Sequence, residues 1–228
     1  MRGGKFRQWR LAAIALALLL LAFVIWNVIT GWTPSRDEFS VQGVVVDEDN
    51  GKPFWPSLGA TGVDFAYLTA TRGAERRDKQ FASNLEAVRE AGIRYGALHR
   101  FDICRLATDQ ATLFITTVPR LNGALPPAVE LDFSGSCTKR PDRALILSEL
   151  STFLSQIEAH SGQPAILLLS PDFEAAYKIS SEVDRNVWLE RTWMLPDYAA
   201  RPWVMWTANR SRRVSGIDGR VRWVVVRK

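Results

Sequence analysis

From Leu11 to Trp26 the chain carries no charged side chain, and Val28 and Ile29 extend the apolar run past Asn27. No other stretch restricts the fold so severely. Crossing a hydrocarbon core takes about 20 apolar residues, and a backbone in lipid must satisfy its own hydrogen bonds, which leaves a helix. Arg2, Lys5, Arg7 and Arg10 precede the run. That bias keeps the N-terminus in the cytoplasm and sends the residues after Trp32 across the membrane. Trp9, Trp26 and Trp32 suit the two interfaces. A cleaved signal peptide is the competing reading, but no small-x-small pattern comes after the run; Trp26, Asn27, Trp32 and Pro34 occupy that region. The expected organisation is a basic cytoplasmic segment over 1–10, a single-pass signal-anchor over 11–31, a polar linker over 32–40 and one exported domain over 41–228.

Within that domain, short apolar runs alternate with helical periodicity. Strands are expected near 41–46, 65–71, 93–99, 128–133 and 165–170, and three further short runs near 187–192, 203–207 and 221–226. Helices are expected near 81–91, ended by Gly92, and near 109–118. The clearest helix is 142–160, with Leu147, Leu150, Leu154 and Ile157 as its stripe, Asp142 as a cap and Gly162 as its stop. Strands alternating with helices imply a parallel sheet. About eight strands with fewer than eight helices predict an α/β fold, a TIM-like (β/α) barrel whose C-terminal part has lost its helices.

Residues 125–133 read Leu-Pro-Pro-Ala-Val-Glu-Leu-Asp-Phe. On a strand, residues two apart share a face, so Glu130 and Asp132 project side by side while Val129, Leu131 and Phe133 pack behind them. At the C-terminal mouth of a parallel barrel, such a pair is what glycoside hydrolysis requires: one carboxyl protonates the leaving oxygen while the other attacks or stabilises the sugar. An edge strand with a wetted polar face is the alternative.

Two cysteines, Cys104 and Cys137, each lie just beyond an expected barrel strand, and an exported domain permits their pairing; two free buried thiols are the alternative. No metal site is expected, because only His99 and His160 could join them and the spacings do not match ligand patterns. The formal charge of +5 is modest. A basic cluster near the C-terminus (Arg210, Arg212, Arg213, Arg220, Arg222, Arg227, Lys228) comes without a nucleic-acid-binding motif, so no nucleic-acid partner is expected.

The order of motifs resembles the glycoside hydrolase family 25 lysozymes. The series runs Gly43-Val44-Val45-Val46, Gly62-Val63-Asp64-Phe65 through Thr71-Arg72-Gly73, Ala91-Gly92-Ile93 through Gly96-Ala97-Leu98-His99, Pro126-Pro127-Ala128-Val129-Glu130-Leu131-Asp132, and Gly216-Ile217-Asp218-Gly219. The resemblance covers roughly 41 to the C-terminus. It implies cleavage of the bond between N-acetylmuramic acid and N-acetylglucosamine in peptidoglycan, with no metal or organic cofactor. The departures fall at the implied site. The family's first-strand Asp is Val45 here, its Asp-x-Glu pair is Glu130-x-Asp132, its Thr-Glu-Gly is Thr71-Arg72-Gly73, and its final Val-Asp is Val221-Arg222. Its Tyr-His pair corresponds to Leu98-His99, and its late Trp-Gln-Tyr to Trp206-Thr207-Ala208.

Two functional readings compete. In the first, a membrane-anchored hydrolase uses Asp132 as acid and Glu130 as its partner, with Arg72, His99, Trp206, Tyr67 and Arg222 contacting the glycan. In the alternative, a degenerate barrel holds peptidoglycan or another anionic glycan without cutting it, the arginines gripping carboxylates or phosphates. A structural envelope protein that keeps only the fold is the blandest reading. Core positions remain open for His99 and for the aromatic residues. The expected location is a bacterial cytoplasmic membrane, with the domain outside.

Overall fold

The computed structural model describes residues 3–120, 122–133 and 137–228, so Met1 and Arg2 of the basic segment lie outside the described residues. The chain divides into two compact units, Met1–Trp32 and Thr33–Lys228. The first is a single helix, α1 (Gly3–Gly31), of which Trp9–Gly31 is long and apolar enough to cross a membrane. Its 23 residues span about 34 Å at helical rise.

The second unit begins with β1 (Gln42–Val46), a 3-10 turn at Glu48–Asn50, α2 (Trp55–Leu58) and a second 3-10 turn at Gly59–Thr61. Then come β2 (Phe65–Arg72), β3 (Arg76–Arg77), α3 (Phe81–Glu90), β4 (Arg94–Arg100), α4 (Ala107–Thr117), β5 (Ala128–Leu131) and α5 (Arg143–Ser161). The chain finishes with β6 (Ile166–Leu169), α6 (Pro171–Tyr177), α7 (Ile179–Glu182), β7 (Asn186–Glu190), β8 (Trp203–Arg212) and β9 (Val221–Val226). Apart from the two-residue β3, which pairs only with the end of β2, the strands close into an eight-stranded barrel. Neighbours from β1 through β8 run parallel, and β9 closes the ring antiparallel to both β8 and β1. No helix separates β7 from β8 or β8 from β9 among the described residues, so the helical coat does thin toward the C-terminus.

Alternation along the strands builds two layers. Val45, Phe65, Tyr67, Leu98, Ala128, Ile166, Leu168, Trp188, Met205 and Val224 fill the barrel interior. Polar atoms within this core are matched: Trp188 Nε1 donates to Thr207 Oγ1 at 2.8 Å, and Tyr67 Oη donates to the Pro126 carbonyl at 3.0 Å. Gly96 lies under the Tyr67 ring, where a Cβ would come within 2.5 Å of it. The opposite strand faces meet the helices; Ile146, Leu150, Phe153, Leu154 and Ile157 are the buried stripe of α5. Leu147 is only half-buried, so the stripe is rotated slightly from the one expected. Asp142 holds the N-cap position of α5 without a side-chain capping bond, whereas Gly162 ends the helix in the left-handed region as expected, with φ 72°.

Within the second unit, the end of the segment expected to be a linker packs on the barrel. Phe39 is 5% exposed and its ring meets Trp203 and Trp206 at 6.3 and 5.7 Å between centroids, while Gln42 Nε2 donates to the Pro34 and Phe39 carbonyls. Cys104 and Cys137 form a disulfide that ties the loop after β4 to the loop after β5.

Candidate active site

The same alternation that fills the barrel carries charge to its mouth. Arg100 stands two residues above interior Leu98, Glu130 two above Ala128, and Glu190 two above Trp188. Because β9 runs the other way, Arg222 precedes interior Val224 yet reaches the same end, the C-terminal mouth of the parallel strands. Asp132 lies just past the last residue of β5.

These side chains form one ionic cluster. Arg222 grips Glu130 with two nitrogens, Nη1 to Oε1 at 2.6 Å and Nη2 to Oε2 at 3.2 Å. Arg100 adds its Nε at 3.2 Å from Glu130 Oε2 and its Nη2 at 3.5 Å from Asp132 Oδ2. Glu190 stands between Arg222, at 3.6 Å, and Arg210, at 3.7 Å. Glu130 and Glu190 side chains are 2% and 4% exposed, whereas Asp132 keeps 15%. Burial pushes the Glu190 carboxyl above the usual carboxylate range; Arg222 pulls it back in part, and the charge on Glu130 adds to the rise. Its Oε1 has no hydrogen bond among the described residues. Burial alone would lower the Arg222 guanidinium, but Glu130 and Glu190 more than reverse this, so it stays charged.

Of the residues singled out from the sequence, Glu130, Asp132 and Arg222 meet in this cluster. Arg72 ends β2 at the rim, where it senses Arg100 and Glu130. Three others lie elsewhere. His99 faces the helices, fully buried against Phe101, Phe114 and Phe153, with Nδ1 on Thr71 Oγ1 at 2.7 Å and Nε2 on Gln110 Oε1 at 3.1 Å. Trp206 also points outward, beneath Phe39, with Nε1 donating to the Arg191 carbonyl at 2.6 Å. Tyr67 is interior, but its hydroxyl reaches Pro126, which precedes β5 and so lies at the opposite end from the mouth. Asp47, a conceivable substitute for the acid missing at Val45, caps the following turn and accepts from Asp49 N at 3.1 Å. Sequence reasoning passed over Arg100 and Glu190, although two-residue spacing from Leu98 and Trp188 marks both, and read Arg210 only as part of a basic cluster.

The family model for glycosyl hydrolases family 25 matches residues 44–217. The chain belongs to this family. Uncharacterized protein YegX of Escherichia coli K12 is 27% identical over 165 residues, 70% of this chain and 57% of that protein. The chain thus spans little more than half the length of these curated relatives. Lysozyme M1 of Streptomyces globisporus is 38% identical over 63 residues, 28% of this chain and 21% of that enzyme. A family 25 glycosyl hydrolase from Bacillus anthracis superposes with a TM-score of 0.77 at 26% identity, covering 85% of this chain and 91% of that one. A bacterial lysozyme from Streptomyces coelicolor gives 0.71 at 22% identity over 82% and 91%, a likeness of fold.

Within this family 25 barrel, Val45 is a buried interior residue paired in register with Arg222. The carboxylate implied at each of these two positions is therefore absent, and a cation stands where one was expected. Among the described residues one grouping has metal-ligand types, Asp102 with Cys104 and Cys137, and both of its sulfurs are taken by the disulfide. The rim also presents Trp193, Met194 and Leu195, exposed on the loop after β7. Trp193 has φ 67°, a backbone region that bulky residues rarely enter.

Proposed function

We propose that this chain is an envelope protein that holds peptidoglycan at its barrel mouth without cleaving it. Residues 11–31 anchor it in a bacterial cytoplasmic membrane, and the 41–228 domain stands outside. The family assignment and the lysozyme-like fold support peptidoglycan as the partner. The barrel is read as a TIM-like (β/α) barrel with its last helices reduced, so its mouth is where ligands meet side chains.

The observation that carries the absence of cleavage is the two-nitrogen grip of Arg222 on Glu130. Glycoside hydrolysis needs one carboxyl that arrives protonated and a second that is free to attack or stabilise. Both Glu130 oxygens instead accept from a guanidinium, and a guanidinium only donates. Arg100 also faces both Glu130 and Asp132, and Val45 supplies no charge. The remaining groups suit recognition: Arg72 at the rim for carboxylate groups and Trp193 for a sugar face.

A second reading has one observation in its favour. Asp132 sits beyond the strand end and is 15% exposed, the most open carboxyl of the cluster, with Arg100 Nη2 3.5 Å from its Oδ2. In that reading Asp132 is the acid and Glu130 its partner, and the membrane-anchored chain is a working muramidase.

One experiment separates them. The full-length chain in detergent micelles is incubated with purified sacculi at low salt, beside Asp132→Asn, and both pelleted protein and released muropeptides are measured. Retention without release is the expected result. Release by the parent and none by Asp132→Asn would establish hydrolysis instead, and failure to pellet would remove the binding reading.

A further inference from the structure

Beside the ionic cluster, under the turn that comes after β1, lies a cavity of about 130 Å³, room for several water-sized groups. Asp47 and Asp49 line it from that turn, and Thr69 and Arg72 from the end of β2. The two strands are parallel neighbours, Val46 standing beside Leu68. Other charged groups around the cavity are already occupied. Glu48 pairs with Arg76, and the two Asp78 oxygens accept from Glu48 N at 2.7 Å and Gln80 N at 2.8 Å.

Thr69 and Arg72 are not, and the two aspartates keep acceptor capacity. Thr69 is 5% exposed and its hydroxyl has no hydrogen-bond partner among the described residues, a rare condition for a buried hydroxyl. No hydrogen bond or ion pair of the described residues involves the Arg72 side chain. Burial and the like charges of Arg100 and Arg76 push the Arg72 guanidinium down, and Glu130 and Asp47 offset only part of this, so an arriving anion would relieve it. On the β1 side, Asp47 caps its own turn and accepts from Asp49 N at 3.1 Å, and the Asp49 carboxylate accepts no hydrogen bond among the described residues. A carboxylate has about four lone-pair sites, so both retain acceptor capacity.

We propose that this cavity is a subsite for an α-amino carboxylate, with Arg72 and the Thr69 hydroxyl taking the carboxylate and Asp47 and Asp49 taking the ammonium. A plain dicarboxylate would face the aspartates, and a plain diamine would leave Arg72 and Thr69 unmatched, so neither half suffices. The inference rests on the wall-binding reading, because peptidoglycan stem peptides carry free amino-carboxylate ends. It goes further in assigning recognition to the peptide rather than to the sugar.

The test is calorimetric titration of the full-length chain in detergent with meso-diaminopimelate, a diamino diacid with an amino-carboxylate at each end. Pimelate and cadaverine are titrated as the diacid-only and diamine-only comparators. Diaminopimelate is expected to bind at least about tenfold more tightly than either, and Arg72→Gln and Thr69→Val are each expected to weaken it by about tenfold, the scale of one charge-assisted or buried hydrogen bond. Arg72 is exposed at a strand end, so Arg72→Gln leaves the fold intact and keeps the test informative if Thr69→Val does not. No binding, equal binding of pimelate, or an unaffected Arg72→Gln overturns the subsite. Sacculus pelleting is measured on the same preparations. Pelleting without diaminopimelate binding overturns the subsite alone, whereas loss of pelleting overturns the wall-binding reading.

Discussion

Arg222→Gln is the sharpest perturbation of the mouth. It removes a cation whose side chain is 15% exposed and which joins Glu130 at 2.6 Å to Glu190 at 3.6 Å. Removing one partner from a buried ion pair costs about 3–5 kcal/mol, because an uncompensated charge stays behind. Here the lower end applies. Arg100 remains 3.2 Å from Glu130, and Arg210 remains 3.7 Å from Glu190. A loss of about 3 kcal/mol corresponds to a melting temperature lower by about 6–12 °C for a domain of this size.

The pH dependence gives a sign that simple loss of packing would not. Burial already holds the folded-state pKa of Glu190 above its ordinary 4.5, and Arg222 is what pulls it back. Between the unfolded and the folded pKa the native state binds more protons, so stability falls as pH rises through that window. Without Arg222 the folded pKa moves further up and the window widens. The deficit of Arg222→Gln relative to the parent is therefore larger at pH 8 than at pH 5. Urea denaturation of the full-length chain in detergent, followed by fluorescence of the buried Trp188 and Trp223, measures both values. Equal deficits at the two pH values, or a loss below about 1 kcal/mol at pH 8, would show a solvated cluster and refute the argument. Arg222→Met combined with Glu130→Leu and Glu190→Leu should recover most of the loss, since apolar replacement of buried ion-pair partners together is often neutral and Arg100 keeps Asp132 as its partner.

Three further outcomes are expected. Cys104→Ser/Cys137→Ser opens a cross-link between residues 33 apart in sequence and should cost about 3–4 kcal/mol in the chain-entropy account, read as a lower urea midpoint under non-reducing conditions. His99 is fully buried and neutral, its pKa pushed down from 6.5 to about 4 by burial. Its contribution is complete above pH 6.5 and is lost as pH falls toward 4, on the order of 3 kcal/mol, so His99→Gln should flatten that acid slope in urea titrations across pH 4–7. Gly96→Ala places a Cβ 2.5 Å from the Tyr67 ring and should destabilise by about 1–3 kcal/mol through overpacking, with a melting temperature unchanged from the parent counting against the packing described.

Much of the fold was legible because barrel strands and helices obey different periods. The run at β6 is apolar and short, and the α5 pattern repeats every three to four residues, so neither depends on distant partners. The site was harder to read, and the reasons differ by residue. His99 and Trp206 were judged by proximity to apparent mouth motifs, although strand parity decides their direction. Once Leu98 and Met205 face inward, their neighbours must face the outer layer. Parity admits Tyr67 to the interior but says nothing of its height, which depends on the closed barrel placing its hydroxyl against Pro126.

Arg222 shows what no local pattern can supply. Motif order marks it as a cation at a position where the family resemblance implied an acid, and in isolation that is a missing group. It becomes an occupied one only because β9 closes the barrel antiparallel, which brings residue 222 to the same end as residue 130 across 92 positions of sequence. The substitution then does two things at once: it withdraws one carboxylate and neutralises another. Exchanging Glu and Asp on β5 could leave a working pair after small adjustments of reach. A guanidinium forked onto Glu130 instead alters what that residue can do chemically. For this mouth, the decisive variable is therefore the charge that β9 delivers, more than the order of the two acids at the end of β5.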